Sequence, residues 1–195
     1  MISVKTDIKG ITKKLNVIQK KQIPFATAKA LTATAFNARK AVQKQMPAEL
    51  DRPTPFTIRG VRVEKATKRS LRSAVFITPE VYDYLKWQIT GGTKHGNSAV
   101  PTGAKKLNKY GNIPGKRKGL IKSKAQRFGK LRDTTAVWET KGGKRNRQTR
   151  LLIVIEKKVT YKKRFKFREG VFKVVNKDFA GLFDKAMRDA LRTAR

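Results

Sequence analysis

Residues 135–159, TAVWETKGGKRNRQTRLLIVIEKKV, decide the fold class. Thr135 to Glu139 is a short β-prone run. Arg150 to Val159 contains five consecutive apolar residues that favour extended backbone. Between them, Lys141 to Arg150 holds a Gly-Gly pair in a strongly basic stretch, which predicts a hairpin loop. Strand therefore follows strand directly, and the sheet is expected to be antiparallel rather than wound through parallel βαβ units.

The pattern extends outward in both directions. Upstream, Phe56 and Ile58 with Val61 and Val63 predict a strand broken at Gly60. Ser70 to Ile77 (SLRSAVFI) predicts its antiparallel partner. Thr78-Pro79-Glu80 supplies a hydroxyl cap, a proline for the first helical position and an acid for the first turn. The helix it starts carries Val81, Tyr82, Leu85 and Ile89 and stops at Gly91-Gly92. Downstream, Tyr161, Phe165 and Phe167 continue the β pattern, followed by Val171 to Val175. A last helix, capped by Asn176, aligns Phe179, Leu182, Phe183, Ala186, Met187, Ala190 and Leu191 on one face.

The first quarter of the chain is helical in pattern. Ile8, Ile11, Leu15 and Ile18 predict a short amphipathic helix. Ala28, Leu31, Ala35, Ala38 and Val42 form the stripe of a longer one, from about Pro24 to Met46 and ended by Pro47. Three prolines between Pro47 and Pro55 (PAELDRPTP) predict an ordered turn or extended arm. The expectation is an α+β fold in a single domain, 1–195. Its antiparallel sheet is packed by the long N-terminal helix and the C-terminal amphipathic helix, and residues 93–133 form a basic extended arm or loop inserted in it.

Charge bounds the function. Forty-eight Lys and Arg face 13 Asp and Glu, a formal net charge of +35 on 195 residues. Self-repulsion of that size calls for an external polyanion, most often nucleic acid. Eleven basic residues crowd the middle of the chain with no acid before Asp133: Lys105, Lys106, Lys109, Lys116, Arg117, Lys118, Lys122, Lys124, Arg127, Lys130 and Arg132. With Lys144, Arg145 and Arg147 of the hairpin loop, they are the candidate nucleic-acid or polyanion contacts. No zinc-finger spacing, aromatic RNA-binding signature or helix-turn-helix accompanies them, so contact without sequence preference is expected.

Other signals yield no chemistry. The absence of cysteine excludes disulfides and thiolate metal sites. No apolar stretch approaches the length of a membrane span, and Met1 to Lys14 lacks the apolar core of a secretion signal. His95 is the only histidine and has no neighbouring carboxylates, so an exposed loop position is expected. Glu139 and Glu156 would meet only through strand pairing, and salt bridges to the abundant Lys and Arg are the simpler role. GGTKHG (Gly91 to Gly96) lacks the spacing of a phosphate-binding loop. Tyr161 to Arg168 (YKKRFKFR) interleaves aromatics with charge, as a base-stacking surface does, but Phe165 and Phe167 are better read as core. The residues imply no enzyme, no catalytic group, no metal and no cofactor.

Three stretches carry a family likeness. IPFATAKALTATAFNARKAVQKQM, following an amphipathic start, resembles the opening of tailed-phage minor tail protein Z and related tail-completion proteins. DRPTPFTIRGVRV (Asp51 to Val63) is similar to the segment that follows in many prophage-encoded members. YLKWQITGGTKH, with its basic, Gly-rich continuation and the C-terminal helix, resembles the remainder, apart from residues 97–133. The resemblance implies a structural virion protein at the neck, made in the host cytoplasm, where head joins tail. It implies a ring of identical subunits between portal (connector) and tail-tube proteins, with non-specific contact to packaged double-stranded DNA and no membrane partner. Composition alone also suits a ribosomal-type or other RNA/DNA-binding structural protein whose basic arm folds on RNA. A two-metal nuclease would need clustered carboxylates that the chain does not offer.

Overall fold

The computed structural model describes residues 2–5, 17–114, 125–143 and 145–193. The fold is α+β, with antiparallel sheets, and the chain divides into two compact units. The first comprises Met1–Ile89 and Arg164–Arg195; the second is the intervening Thr90–Lys163.

The first unit is built on two long helices. Helix α1 (Val17–Glu49) starts seven residues before the expected Pro24 and runs through both Pro24 and Pro47. Proline removes one backbone donor without forbidding helical φ, and Leu50 N–H closes the end on the Met46 carbonyl at 2.9 Å. Helix α4 (Phe167–Arg192) runs antiparallel to α1, as Lys29–Asp189 and Asn37–Asp178 pairings require. Near one end, Ala26 and Ala30 meet Ala186 and Ala190, flanked by Phe179, Phe183 and Met187. Alanines four apart put small side chains on one stripe, so the backbones approach closely. Two threonines on α1 are buried, and each hydroxyl is satisfied within the helix: Thr27 donates to the Ile23 carbonyl at 2.8 Å, Thr34 to that of Ala30 at 2.9 Å.

The other end of α1 meets the smaller sheet. Strands β1 (Ile2–Lys5), β2 (Val61–Glu64) and β3 (Arg72–Ile77) pair antiparallel in the order β1-β3-β2. Ala38, Val42 and Met46 of α1 join Val61, Val75, Phe165, Phe167 and Val171 in the largest core. Ala35 of α1 and Val81 and Leu85 of helix α3 (Pro79–Thr90) complete it. The predicted short helix through Ile8 to Ile18 falls mostly outside the described residues.

Two expectations here are corrected. Pro55–Arg59 is a short helix, α2, rather than the start of a strand. Thr54 caps it, accepting the Thr57 N–H at 3.2 Å, and Pro55 occupies its first turn, as Pro79 does in α3. The final helix begins at Phe167, not at Asn176. Phe167, Val171 and Val174 follow a helical spacing that the nearby Phe165 disguises as alternation. The Glu49 carboxylate accepts the Lys166 N–H at 2.8 Å and so caps α4 from the end of α1. Phe165 and Phe167 are both buried, as core packing predicts.

The second unit is a four-stranded antiparallel sheet in the order β4-β7-β6-β5. Its strands are β4 (Gly92–Pro101), β5 (Gln126–Leu131), β6 (Thr134–Lys141) and β7 (Gln148–Tyr161). The predicted hairpin is present, with Lys141 opposite Gln148. Within 93–133, however, residues expected to form an arm are strand at β4 and β5. Between them, Asn108 closes a turn by accepting the Tyr110 and Asn112 N–H groups at 3.0 and 2.9 Å. Ile113 then packs on Val137, Leu152 and Ile153, the core of this unit.

Candidate polyanion-contact surface

Charge is densest in the second unit. Its 74 residues carry 21 Lys and Arg against three acids, a net +18, so nearly every cation there lacks an acidic partner in the same unit. Strand register distributes those cations. Arg132 sits in the two-residue turn joining β5 to β6, held at φ +50°. Arg145 and Arg147 sit in the β6–β7 loop. These are opposite ends of β6, roughly 25 Å apart for eight extended residues. The candidate contacts therefore do not form one patch.

The hairpin-loop end gathers more of them. Lys141 and Arg150 border the loop, and Gln126 at the start of β5 lies opposite Glu139. The turn after β4 reaches the same end, since Thr102 N–H donates to the Leu152 carbonyl at 2.9 Å. Lys106 and Lys109 are exposed on the segment that follows, and Lys109 Nζ stands 5.1 Å from the centre of the Tyr110 ring. Arg127 and Lys130 are exposed on opposite faces of β5.

Lys105 behaves differently. It is only 9% exposed, and its charge helps to lower the pKa of Glu139. That carboxyl lies below the ordinary glutamate value chiefly because the Gln126 amide donates to it at 3.2 Å, with Lys141 at 3.5 Å adding to the effect. Lys105 is thus largely withdrawn from a bulky polyanion. Lys116, Arg117, Lys118, Lys122, Lys124 and Lys144 lie outside the described residues.

The remaining candidates resolve simply. Glu139 pairs with Arg150 in register, whereas Glu156 lies opposite Ser98 on β4, so strand pairing does not unite the two acids. His95 is exposed, but on β4 opposite Lys158 rather than in a loop. Among the described residues no three His, Asp or Glu side chains converge on a possible metal position. No described helix is long and apolar enough to cross a membrane. Gly91 and Gly92, at φ +72° and +113°, end α3 in the left-handed region, which accounts for the glycine-rich sequence there.

One functional candidate is absent from the sequence reading. Phe128 is 54% exposed on β5, with Lys130 two residues away on the same face. Its segment, QRFGKL, offers too little apolar alternation to mark a strand. Comparison with protein-family models, with curated proteins and with solved structures returned no match.

Proposed function

We propose that this chain is a structural virion protein of a tailed phage, acting at the neck where the tail is completed and joined to the head. Its basic loops contact DNA or acidic neighbouring subunits, and affinity comes from neutralising phosphates and releasing their counterions rather than from reading bases. The observation that carries the electrostatic part is the net +18 on the 74-residue second unit, whose exposed cations project from both ends of a small sheet. Separated basic ends suit a scaffold that touches an extended polyanion at several points. They do not suit a reader that inserts one element into a groove. The location rests on the resemblance of the Ala-rich helix, the DRPTPFTIRGVRV segment and YLKWQITGGTKH to tail-completion proteins.

Two experiments test the two parts. Duplexes of unrelated sequence should bind with equal affinity and with a steep loss as salt rises. Sequence preference, or affinity indifferent to salt, contradicts the electrostatic part. Antibody against the chain should label the head–tail junction of the virion that encodes it. Label elsewhere, or a chain absent from particles, contradicts the location.

A further inference from the structure

Among the described residues, one face of the second unit's sheet carries both a packed cluster and a hollow. Ile113 packs against the cluster of Val137, Leu152 and Ile153. Beyond it lies a hollow of about 340 Å³ lined by Asn97, Ala99, Phe128, Thr135, Ile155 and Lys157. Register explains why these side chains share a face. Phe128 lies opposite Val137, Thr135 opposite Ile155, and Ile155 opposite Ala99. Alternation puts Lys130, opposite Thr135, on that face as well. Asn97 enters the hollow where the β4–β7 register breaks between His95 and Ser98, a bulge that re-aims its side chain.

The chemistry of this hollow is specific. Its floor is apolar, and its aromatic ring is more than half exposed. Asn97 and Thr135 bring hydrogen-bonding groups and Lys157 a cation, Lys130 shares the face, and among the described residues no carboxylate lines the hollow. An exposed Phe with two lysines beyond it on the same face suits a nucleotide: a ring face for the base and cations for neighbouring phosphates of the strand. A base paired within a duplex cannot reach such a ring, because both its faces are already stacked.

We propose that this hollow binds an unpaired nucleotide of single-stranded nucleic acid. Phe128 stacks on the base, Lys130 and Lys157 take neighbouring phosphates to one side of it, and Asn97 and Thr135 meet the base edge. The proposal deepens the polyanion reading and rests on it: the basic loops hold the backbone, and the hollow distinguishes an open strand from a closed one.

The test measures anisotropy of a labelled oligothymidylate of about 15 nucleotides and of a duplex of equal length, each across a salt series. Phe128→Ala should weaken single-strand binding roughly 5- to 150-fold while leaving duplex affinity and its salt slope unchanged. Phe128→Tyr should restore single-strand binding; Phe128→Leu, which keeps apolar bulk without a ring, should not. Lys130→Gln with Lys157→Gln should make the single-strand salt slope shallower by up to about 1.4, at ~0.7 per phosphate contact. Equal single-strand affinity for wild type, Phe128→Ala and Phe128→Leu overturns the hollow while salt-dependent duplex binding still stands. If the wild-type chain binds neither probe, the polyanion reading fails with it. Tight binding of an acidic polypeptide that Phe128→Ala abolishes, with single-strand affinity untouched, assigns the hollow to a protein instead and also overturns the proposal.

Discussion

Gly60 gives the sharpest test of how the first unit is packed. It joins α2 to β2, is buried, and accepts the Thr78 N–H at 2.9 Å. Its φ of −65° and ψ of −15° are open to any residue, so Gly60→Ala adds no backbone strain. The penalty is steric. A Cβ at Gly60 would stand 2.5 Å from Val81 Cγ2, 2.9 Å from its Cβ and 3.0 Å from its Cγ1. Val81 is fully buried in the first turn of α3, and with all three branch atoms in contact no rotamer change relieves the clash. Helix α3 must shift instead. Overpacking of this kind costs about 1–3 kcal/mol, offset by about 0.4–1 kcal/mol from the less flexible unfolded chain. A net loss of about 1–2 kcal/mol should lower the melting temperature by roughly 4–8 °C for a unit of this size. Urea unfolding followed at 222 nm measures the loss. In a Val81→Ala background, which removes the two Cγ contacts, the cost of Gly60→Ala should fall by at least half. A neutral Gly60→Ala, or one equally costly in both backgrounds, refutes this packing.

Two further outcomes follow from local geometry. Asp189 accepts from Lys29 Nζ at 3.1 Å, a hydrogen bond and charge that hold its carboxyl below the ordinary aspartate value. Because the folded pKa is the lower one, the stabilisation is complete above the unfolded value of about 3.9 and is lost as pH falls through the folded value. The urea midpoints of wild type and Asp189→Asn should therefore differ near neutrality and converge in acid, and a gap independent of pH would contradict the pairing. Gly142 adopts φ +98° with its Cβ direction blocked by the Asn146 carbonyl, whereas Gly143 faces open space. Gly142→Ala should cost about 1–3 kcal/mol and reduce hydrogen-exchange protection of the β6–β7 hairpin, while Gly143→Ala leaves that protection unchanged.

Sequence was a good guide where local rules stood alone. Thr78-Pro79-Glu80 and Gly91-Gly92 bracket α3 because proline, first-turn acid and glycine each act within one turn. The β6–β7 hairpin was legible because its apolar runs are long and its loop is glycine-rich. Helix α2 was missed because five residues carry no periodicity, although Thr54-Pro55 repeats the α3 start signal. Strands β4 and β5 were missed because their residues are largely polar or basic, so pairing with β7 and β6 rather than an apolar face sets their structure. The number of cations was legible, but their positions were not. Lys105 is buried, and Arg132 and Arg145 lie at opposite ends of β6, because burial and register are properties of the folded sheet. Phe128 was invisible for the same reason: only the register places it beside Thr135, Ile155 and Lys157.

The central claim is that exposed cations of the second unit hold a polyanion without reading its sequence. The most direct measurement is the slope of log affinity against log salt for duplex DNA, comparing wild type with a variant carrying Lys106→Gln, Lys109→Gln, Arg145→Gln and Arg147→Gln. At ~0.9 per phosphate contact, losing all four contacts should make the slope shallower by up to about 3.6. The variant should lose affinity equally for duplexes of unrelated sequence, with an unchanged melting temperature. A slope identical to that of the wild type would contradict the claim.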